Sequence, residues 1–209
     1  MIRSESMTLI EGIDIQHIGH SGFRIVHESK TIYIDPFKAP RGSADIILIT
    51  HEHFDHCDEE SVDRLRKEGT VILAPQGCKS KLKGVIVISL GEQKVIGDIA
   101  IEAVPAYNIG KSYHPKGFGV GFVITIDGKR IYHAGDTDRI PEMKKLGSID
   151  IALLPVSGTY TMTAEEAAAA ANEDIKPKVA VPMHYGVITG SQSDAEKFKR
   201  LCKCEVVIL

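Results

Sequence analysis

The 209-residue chain carries 25 basic and 28 acidic residues, a net charge of −3, and 43% hydrophobic residues, which suits one compact domain over residues 1–209. No block of like charge exceeds a few residues, and this disfavours nucleic acid as a partner. The N-terminal segment MIRSESMTLIEG has no apolar core of leader length and no run approaches a membrane span, so a cytoplasmic protein without an integral membrane segment is expected.

The first half reads as short strands. IDIQHI and FRIVHE flank Gly19-His20-Ser21-Gly22 like a hairpin, TIYID follows, and ADIILIT is a continuous apolar run of the kind buried on both faces. From Asp58 the segment DEESVDRLRKEG has acids in its first turn, bases in its last and Gly69 as a stop, which predicts a helix across it. TVILAP, VIVISL, QKVIG and DIAIEAVP read as strands, with a hairpin through Ile96-Gly97-Asp98. GFVITID and RIYHAGD form a second hairpin turning at Asp127-Gly128. The last third alternates: a short helix after Pro141, strand DIALLPV, a helix from Thr163, strand VAVPM, a helix from Ser193 and strand EVVIL. Capping boxes at Thr163 to Glu166 and Ser193 to Glu196 set the two later helix starts. Hairpins early and βα units later imply an α/β fold of two sheets packed face to face with helices outside. The four cysteines, Cys57, Cys78, Cys202 and Cys204, are few and scattered and read as reduced thiols.

The stretch THEHFDHCD places His51, His53, Asp55 and His56 within six residues. His51 and His53 follow the buried run, and in an extended backbone residues two apart point to one side, so the pair can grip one ion. Asp55 and His56 lie in the turn before the predicted helix and suit a second, neighbouring ion. Six residues cannot enclose two ions, so distant ligands are required. Asp136 in HAGDTD and His184 in PMHYG stand where a strand opens into a loop, which makes them candidates.

Taken in order, ID at 34–35, THEHFDH at 50–56, AGDTD at 134–138 and PMHYG at 182–186 resemble the metallo-β-lactamase-fold hydrolase superfamily across nearly the whole chain. GHSGF at 19–23, IDPF at 34–37 and IYHAGDT at 131–137 are most similar to the branch with L-ascorbate-6-phosphate lactonase and the phospholipase D that cleaves N-acyl phosphatidylethanolamines. The resemblance implies a four-layer αββα sandwich with two divalent ions, zinc favoured and manganese or iron open. It places His51 and His53 on the first ion, Asp55, His56 and His184 on the second, Asp136 between them, and Asp35 behind the ligands as an acceptor for an imidazole N–H.

The superfamily pattern expects a further first-ion histidine shortly after a Pro-Ala pair, and here PAYNIGKSYHPKGFG puts Asn108 there. Either His114 folds back to complete the site, with Asn108 a weak ligand or hydrogen-bonding neighbour, or the first ion is poorly held. The implied chemistry is hydrolysis by a water activated between the ions, with Asp55 orienting it and taking its proton, and His20 acting as acid or substrate contact. Tyr107, Lys111, Tyr160 and Tyr185 are the candidate substrate contacts, with Tyr113, Lys116, Lys38 and Arg41 also in nearby loops. Such lysines suit a small anionic substrate, a phosphodiester or a phosphorylated lactone. A nuclease and a catalytically weak metal-binding sensor are the alternatives, and a homo-oligomer is compatible with the chain. An oxygen-reducing diiron role is disfavoured because His53 stands where those relatives carry Glu.

Overall fold

A computed structural model of the protein describes residues 8–209; residues 1–7, which begin the segment read above as lacking a leader, lie outside the described residues. In the first sheet β1 (Leu9–Ile10), β2 (Ile13–Gly19), β3 (Gly22–His27) and β4 (Lys30–Ile34) form an antiparallel meander. Three parallel strands continue it, β5 (Ala44–Leu48), β6 (Arg66–Ala74) and β7 (Val85–Val87). The second sheet follows the same plan. β8 (Gln93–Ile96), β9 (Ile99–Ala106), β10 (Gly119–Ile126) and β11 (Lys129–His133) are antiparallel, and β12 (Ile151–Pro155), β13 (Val179–Met183) and β14 (Glu205–Val206) are parallel.

Side-chain alternation explains the layering. In β5 and just beyond it, Ile46 and Leu48 join Phe23, Ile25, Phe122 and Ile124 in the core shared by the two sheets. Ile47 and Ile49 point the other way, onto Val62 and Leu65 of α1 (Glu59–Leu65). A continuous apolar run is therefore required here, because both faces of the strand are covered. On the second sheet α2 (Ala164–Ala169), which widens into a π-helical turn over Ala170–Ile175, and α3 (Gln192–Leu201) supply Ala167, Ala168, Ala195 and Phe198 to the core. The two mixed sheets flanked by helices form the expected α/β sandwich.

Three local expectations change. The helix from Asp58 stops at Leu65, not at Gly69: Arg66 is already extended and pairs with Ala44, while Lys67 and Thr70 close a turn over Gly69 at φ 83°. Strand pairing there outweighs the helical preference of Lys67 and Glu68. The last helix starts two residues early, because the box is closed by Ser191 and Asp194, with Ser191 N donating to the Asp194 carboxylate at 2.8 Å. β5 ends at Leu48, so His51 and His53 lie on a curled segment beyond the strand, in which His56 N and Cys57 N both donate to His53 O. The Asp127-Gly128 turn is formed as expected, with both residues at positive φ (50° and 71°). Among the described residues no helix is long and apolar enough to cross a membrane, and all four cysteines are free.

Candidate metal centre

The candidate ligands meet at one end of the sandwich. Asp35 follows β4, His51 to His56 follow β5, Asp136 follows β11 and His184 follows β13, so parallel strands deliver them at their carboxyl ends. His20 comes from the β2–β3 turn and His114 from the β9–β10 loop. His20, Asp35 and His184 all adopt positive φ (54°, 43° and 59°), a backbone state uncommon for these residue types. His184 is fixed there by its N–H, which donates to His20 O at 2.7 Å.

Four of the imidazoles are held through Nδ1. Thr50 Oγ1 gives its proton to Asp35 Oδ2 at 2.7 Å, so it accepts from His51 Nδ1 at 3.0 Å. His56 Nδ1 donates to Asp35 Oδ2 at 2.7 Å, and His114 Nδ1 donates to Asn108 Oδ1 at 3.0 Å. His184 Nδ1 donates to Ser157 Oγ at 2.9 Å, and Ser157 can pass its own proton to Thr161 Oγ1 at 3.1 Å. Nε2 of all four rings is thereby left to face inward, where it offers a lone pair whenever the ring is neutral.

These nitrogens converge. His53 Nδ1 lies 3.0 Å from His51 Nε2 and 3.1 Å from His114 Nε2. Asp136 Oδ2 is 3.3 Å from His114 Nε2 and 3.0 Å from His184 Nε2, and its Oδ1 is 3.4 Å from His56 Nε2. Asp55 Oδ2 stands 3.8 Å from His56 Nε2 and 3.0 Å from His20 Nε2. Two groups result, His51-His53-His114 and His20-Asp55-His56-His184, with Asp136 reaching both.

The residues fit a bound cation. One proton on His53 Nδ1 can serve only one of the two lone pairs facing it, whereas a cation serves all three nitrogens. His56 Nε2 and Asp136 Oδ1 are buried without hydrogen-bond partners, a costly state that a metal ion relieves. Burial holds the His51 imidazole well below the ordinary histidine range and lowers His53 and His114, so this trio is neutral and ready to coordinate. Burial opposes charge on Asp136, but His184 and His56 beside it outweigh this and hold its carboxyl well below the usual range. Burial likewise opposes charge on His56, yet Asp136 and Asp35 together raise it well above the usual value.

The remaining expected residues are placed as follows. Asn108 is buried with both ends used: Oδ1 also accepts from His114 N at 3.1 Å, and Nδ2 donates to Asp138 Oδ1 at 3.2 Å and Tyr160 O at 2.9 Å. It supports His114 and does not compete with it. His20 is fully buried behind Asp55, out of reach of the mouth of the site. Tyr160 lines that mouth. Tyr107 is turned to Glu142 at 2.8 Å, Tyr185 packs against His17, and Lys111 is fixed by Asp138 at 2.6 Å and Thr161 O at 2.7 Å. Instead Phe54, Tyr113 and Ile188 join Tyr160 around the opening. Tyr113 was expected among the recognition loops; sequence reasoning missed Phe54 and Ile188, and also Thr50, Ser157 and Gly119. A Cβ on Gly119 would lie 2.8 Å from His51 Cβ and 3.0 Å from Thr50 O, so glycine lets β10 pass close beneath His51.

Two mixed sheets, outer helices and a histidine-aspartate cluster at the strand ends define the metallo-β-lactamase class, and the β-lactamase superfamily domain description matches residues 14–184. A UPF0173 metal-dependent hydrolase from Thermococcus onnurineus is 38% identical over 94% of this chain and 96% of its own length. A crystal structure of a protein from Parabacteroides distasonis, described as a metal-dependent hydrolase, superposes with a TM-score of 0.88 at 37% identity, covering 97% of this chain and 96% of that one. Igni18, a metallo hydrolase from Ignicoccus hospitalis, gives a TM-score of 0.77 at 28% identity over 94% of each chain. The chain belongs to the UPF0173 metal-dependent hydrolase family of the metallo-β-lactamase superfamily.

Proposed function

We propose that the protein hydrolyses an ester-type bond of a small molecule, carboxylic ester, lactone or phosphodiester, with a dinuclear metal centre. The observation that carries this reading is the convergence of the His56, His114 and His184 Nε2 atoms on the Asp136 carboxylate, where His56 Nε2 and Asp136 Oδ1 are both buried without hydrogen-bond partners. His51, His53 and His114 would hold one divalent ion and Asp55, His56 and His184 a second, with Asp136 between them. Bound here, such ions would lower the pKa of a bound water to near neutrality and polarise the scissile bond; the imidazole-rich donor set favours zinc, with manganese or iron as alternatives.

The chain's own residues supply the rest. Asp55 is anchored by His20 at 3.0 Å, which leaves its other oxygen to orient water and accept a proton. Burial raises the Asp55 carboxyl, but the His20 hydrogen bond and His56 outweigh it and keep the group below the ordinary range, so it is ionised and able to accept. His20 is a positioning residue in this scheme. The GHSGF, IDPF and IYHAGDT segments support kinship with the lactonase and phospholipase branch.

The test is metal-free protein reloaded with Zn²⁺, Mn²⁺ or Fe²⁺ and assayed on p-nitrophenyl esters, lactones and bis-p-nitrophenyl phosphate. Two ions per chain and metal-dependent turnover, abolished by Asp136→Asn, are expected. One ion per chain and no turnover on that panel would sink the proposal.

A further inference from the structure

We infer that the substrate is uncharged and apolar next to the scissile bond: a neutral carboxylic ester or lactone with a short hydrocarbon acyl chain, not a phosphodiester or phosphorylated sugar. The inference deepens the hydrolase reading and rests on it.

The cavity over the ligands measures about 230 Å³, roughly eight waters' share of liquid volume. Its floor is the ligand set, and its walls are Phe54, Tyr113, Tyr160 and Ile188. Phe54 is 67% exposed, Tyr113 49% and Ile188 43%, so apolar surface is kept open to solvent around one small opening, as at a ligand-binding groove. Among the described residues no lysine or arginine lines the cavity. Nearby cations are engaged elsewhere: Lys111 with Asp138 and Thr161 O, Lys116 with Glu142 at 3.0 Å, Lys81 with Glu52 O at 2.5 Å, and Lys38 over the Phe37 ring at 5.0 Å. A phosphate monoanion would thus find no side-chain cation here, where recognition of such groups calls for a lysine or an arginine fork. Bound metal ions would attract an ester carbonyl and a phosphoryl oxygen alike, so the choice between substrates falls to the walls.

The walls offer neutral recognition instead. Tyr113 and Tyr160 meet edge to face, ring centroids 4.7 Å apart at 86°, and neither phenol oxygen has a hydrogen-bond partner among the described residues. Two uncommitted hydroxyls beside an apolar wall suit an ester carbonyl or ether oxygen joined to hydrocarbon. In the reaction the water oxygen bonds to the acyl carbon, the acyl C–O bond breaks, and the departing alkoxide takes a proton, leaving a carboxylate, an alcohol and one released proton.

The test compares p-nitrophenyl esters on the metal-loaded protein, with uncatalysed rates subtracted. From acetate to butanoate kcat/KM is expected to rise about fifteen-fold, at about fourfold per buried methylene, and to fall again once the chain outgrows the cavity. The pentanoate should exceed the hydrogen glutarate ester, which has the same acyl chain ending in a carboxylate, by about tenfold or more. Ile188→Lys, at an exposed position, should shrink or reverse that ratio. A flat chain-length series, or a glutarate ester turned over as fast as the pentanoate, would overturn the inference and leave the hydrolase reading standing. If no ester, lactone or phosphodiester is turned over, the hydrolase reading fails and calorimetry decides the mouth. Binding of the neutral amide N-phenylpentanamide with a negative heat-capacity change supports an apolar site; tighter binding of phenyl phosphate, or no amide binding, refutes it.

Discussion

Replacing Asn108 with alanine removes the acceptor that fixes His114. Four hydrogen bonds go at once: those to His114 Nδ1 and N at 3.0 and 3.1 Å, and those to Asp138 and Tyr160 O at 3.2 and 2.9 Å. The His114 ring loses the contact that keeps its proton on Nδ1 and its Nε2 lone pair toward His53. Loss of such an outer partner typically weakens metal binding about 10–100-fold, or about 1.4–2.8 kcal/mol. Two buried donors left without acceptors cost about 1–3 kcal/mol each before water refills the space, so a stability loss of about 3 kcal/mol is expected as well. Ion stoichiometry at buffered free Zn²⁺ reads the first effect, and urea unfolding reads the second.

Asn108→Asp separates the two roles. It keeps the acceptor for His114 but sets a carboxylate against Asp138, so it should hold metal within a few-fold of the parent while still losing stability. Should Asn108→Ala bind both ions with unchanged affinity, the orienting role is wrong. Should His114→Ala also keep two tightly bound ions, then His114 is not a ligand at all.

Other consequences follow from the same geometry. Ser157→Ala removes the acceptor of His184 Nδ1 and should weaken one ion by about tenfold, measured by chelator competition. Gly119→Ala forces a methyl against His51 Cβ and Thr50 O; a cost of about 1–3 kcal/mol, with loss of the ion held by His51, should appear in thermal melts and metal counts. In the ion-free protein burial disfavours charge on His56, but Asp136 and Asp35 outweigh it and keep its proton bound above the ordinary pKa of 6.5. Coordination must expel that proton, so affinity should fall as pH falls, by about tenfold per unit over the range where the proton is bound. Calorimetry at pH 7 in buffers of different ionisation enthalpy should show a proton released; zero release would contradict it.

What the sequence made legible is what depends on short-range order. THEHFDH, AGDTD and PMHYG place unusual ligand-type residues after buried strands, and the strands themselves follow from alternation and two-residue turns. The rest depends on contacts between segments remote in the chain. Lys111 looks like a free loop cation until Asp138, 27 residues on, takes it. Asn108 looks like a lost ligand until the loop closes and His114, six residues later, reaches the position its own side chain then supports. Helix α1 ends early for a similar reason, because Arg66 finds a strand partner in Ala44 that local propensity cannot reveal. Phe54 stood in plain view inside the ligand motif, but nothing local marked it as the wall of a cavity rather than core.

Asp35 shows how tightly the two halves of the centre are joined. Its Oδ1 accepts from Thr50 N at 2.8 Å, and its Oδ2 accepts from Thr50 Oγ1 and His56 Nδ1, each at 2.7 Å. Thr50 Oγ1 in turn fixes His51. One buried carboxylate therefore sets the ring orientation of a residue in each proposed ion site, and its negative charge reaches both through a single hydroxyl and a single imidazole. Burying such a charge is costly unless it is fully hydrogen-bonded, and the positive φ of Asp35 adds local strain. A fold that accepts both costs where the two sites meet gains little in packing from doing so. What it gains is two neighbouring sets of donors held in register, the arrangement a dinuclear centre requires.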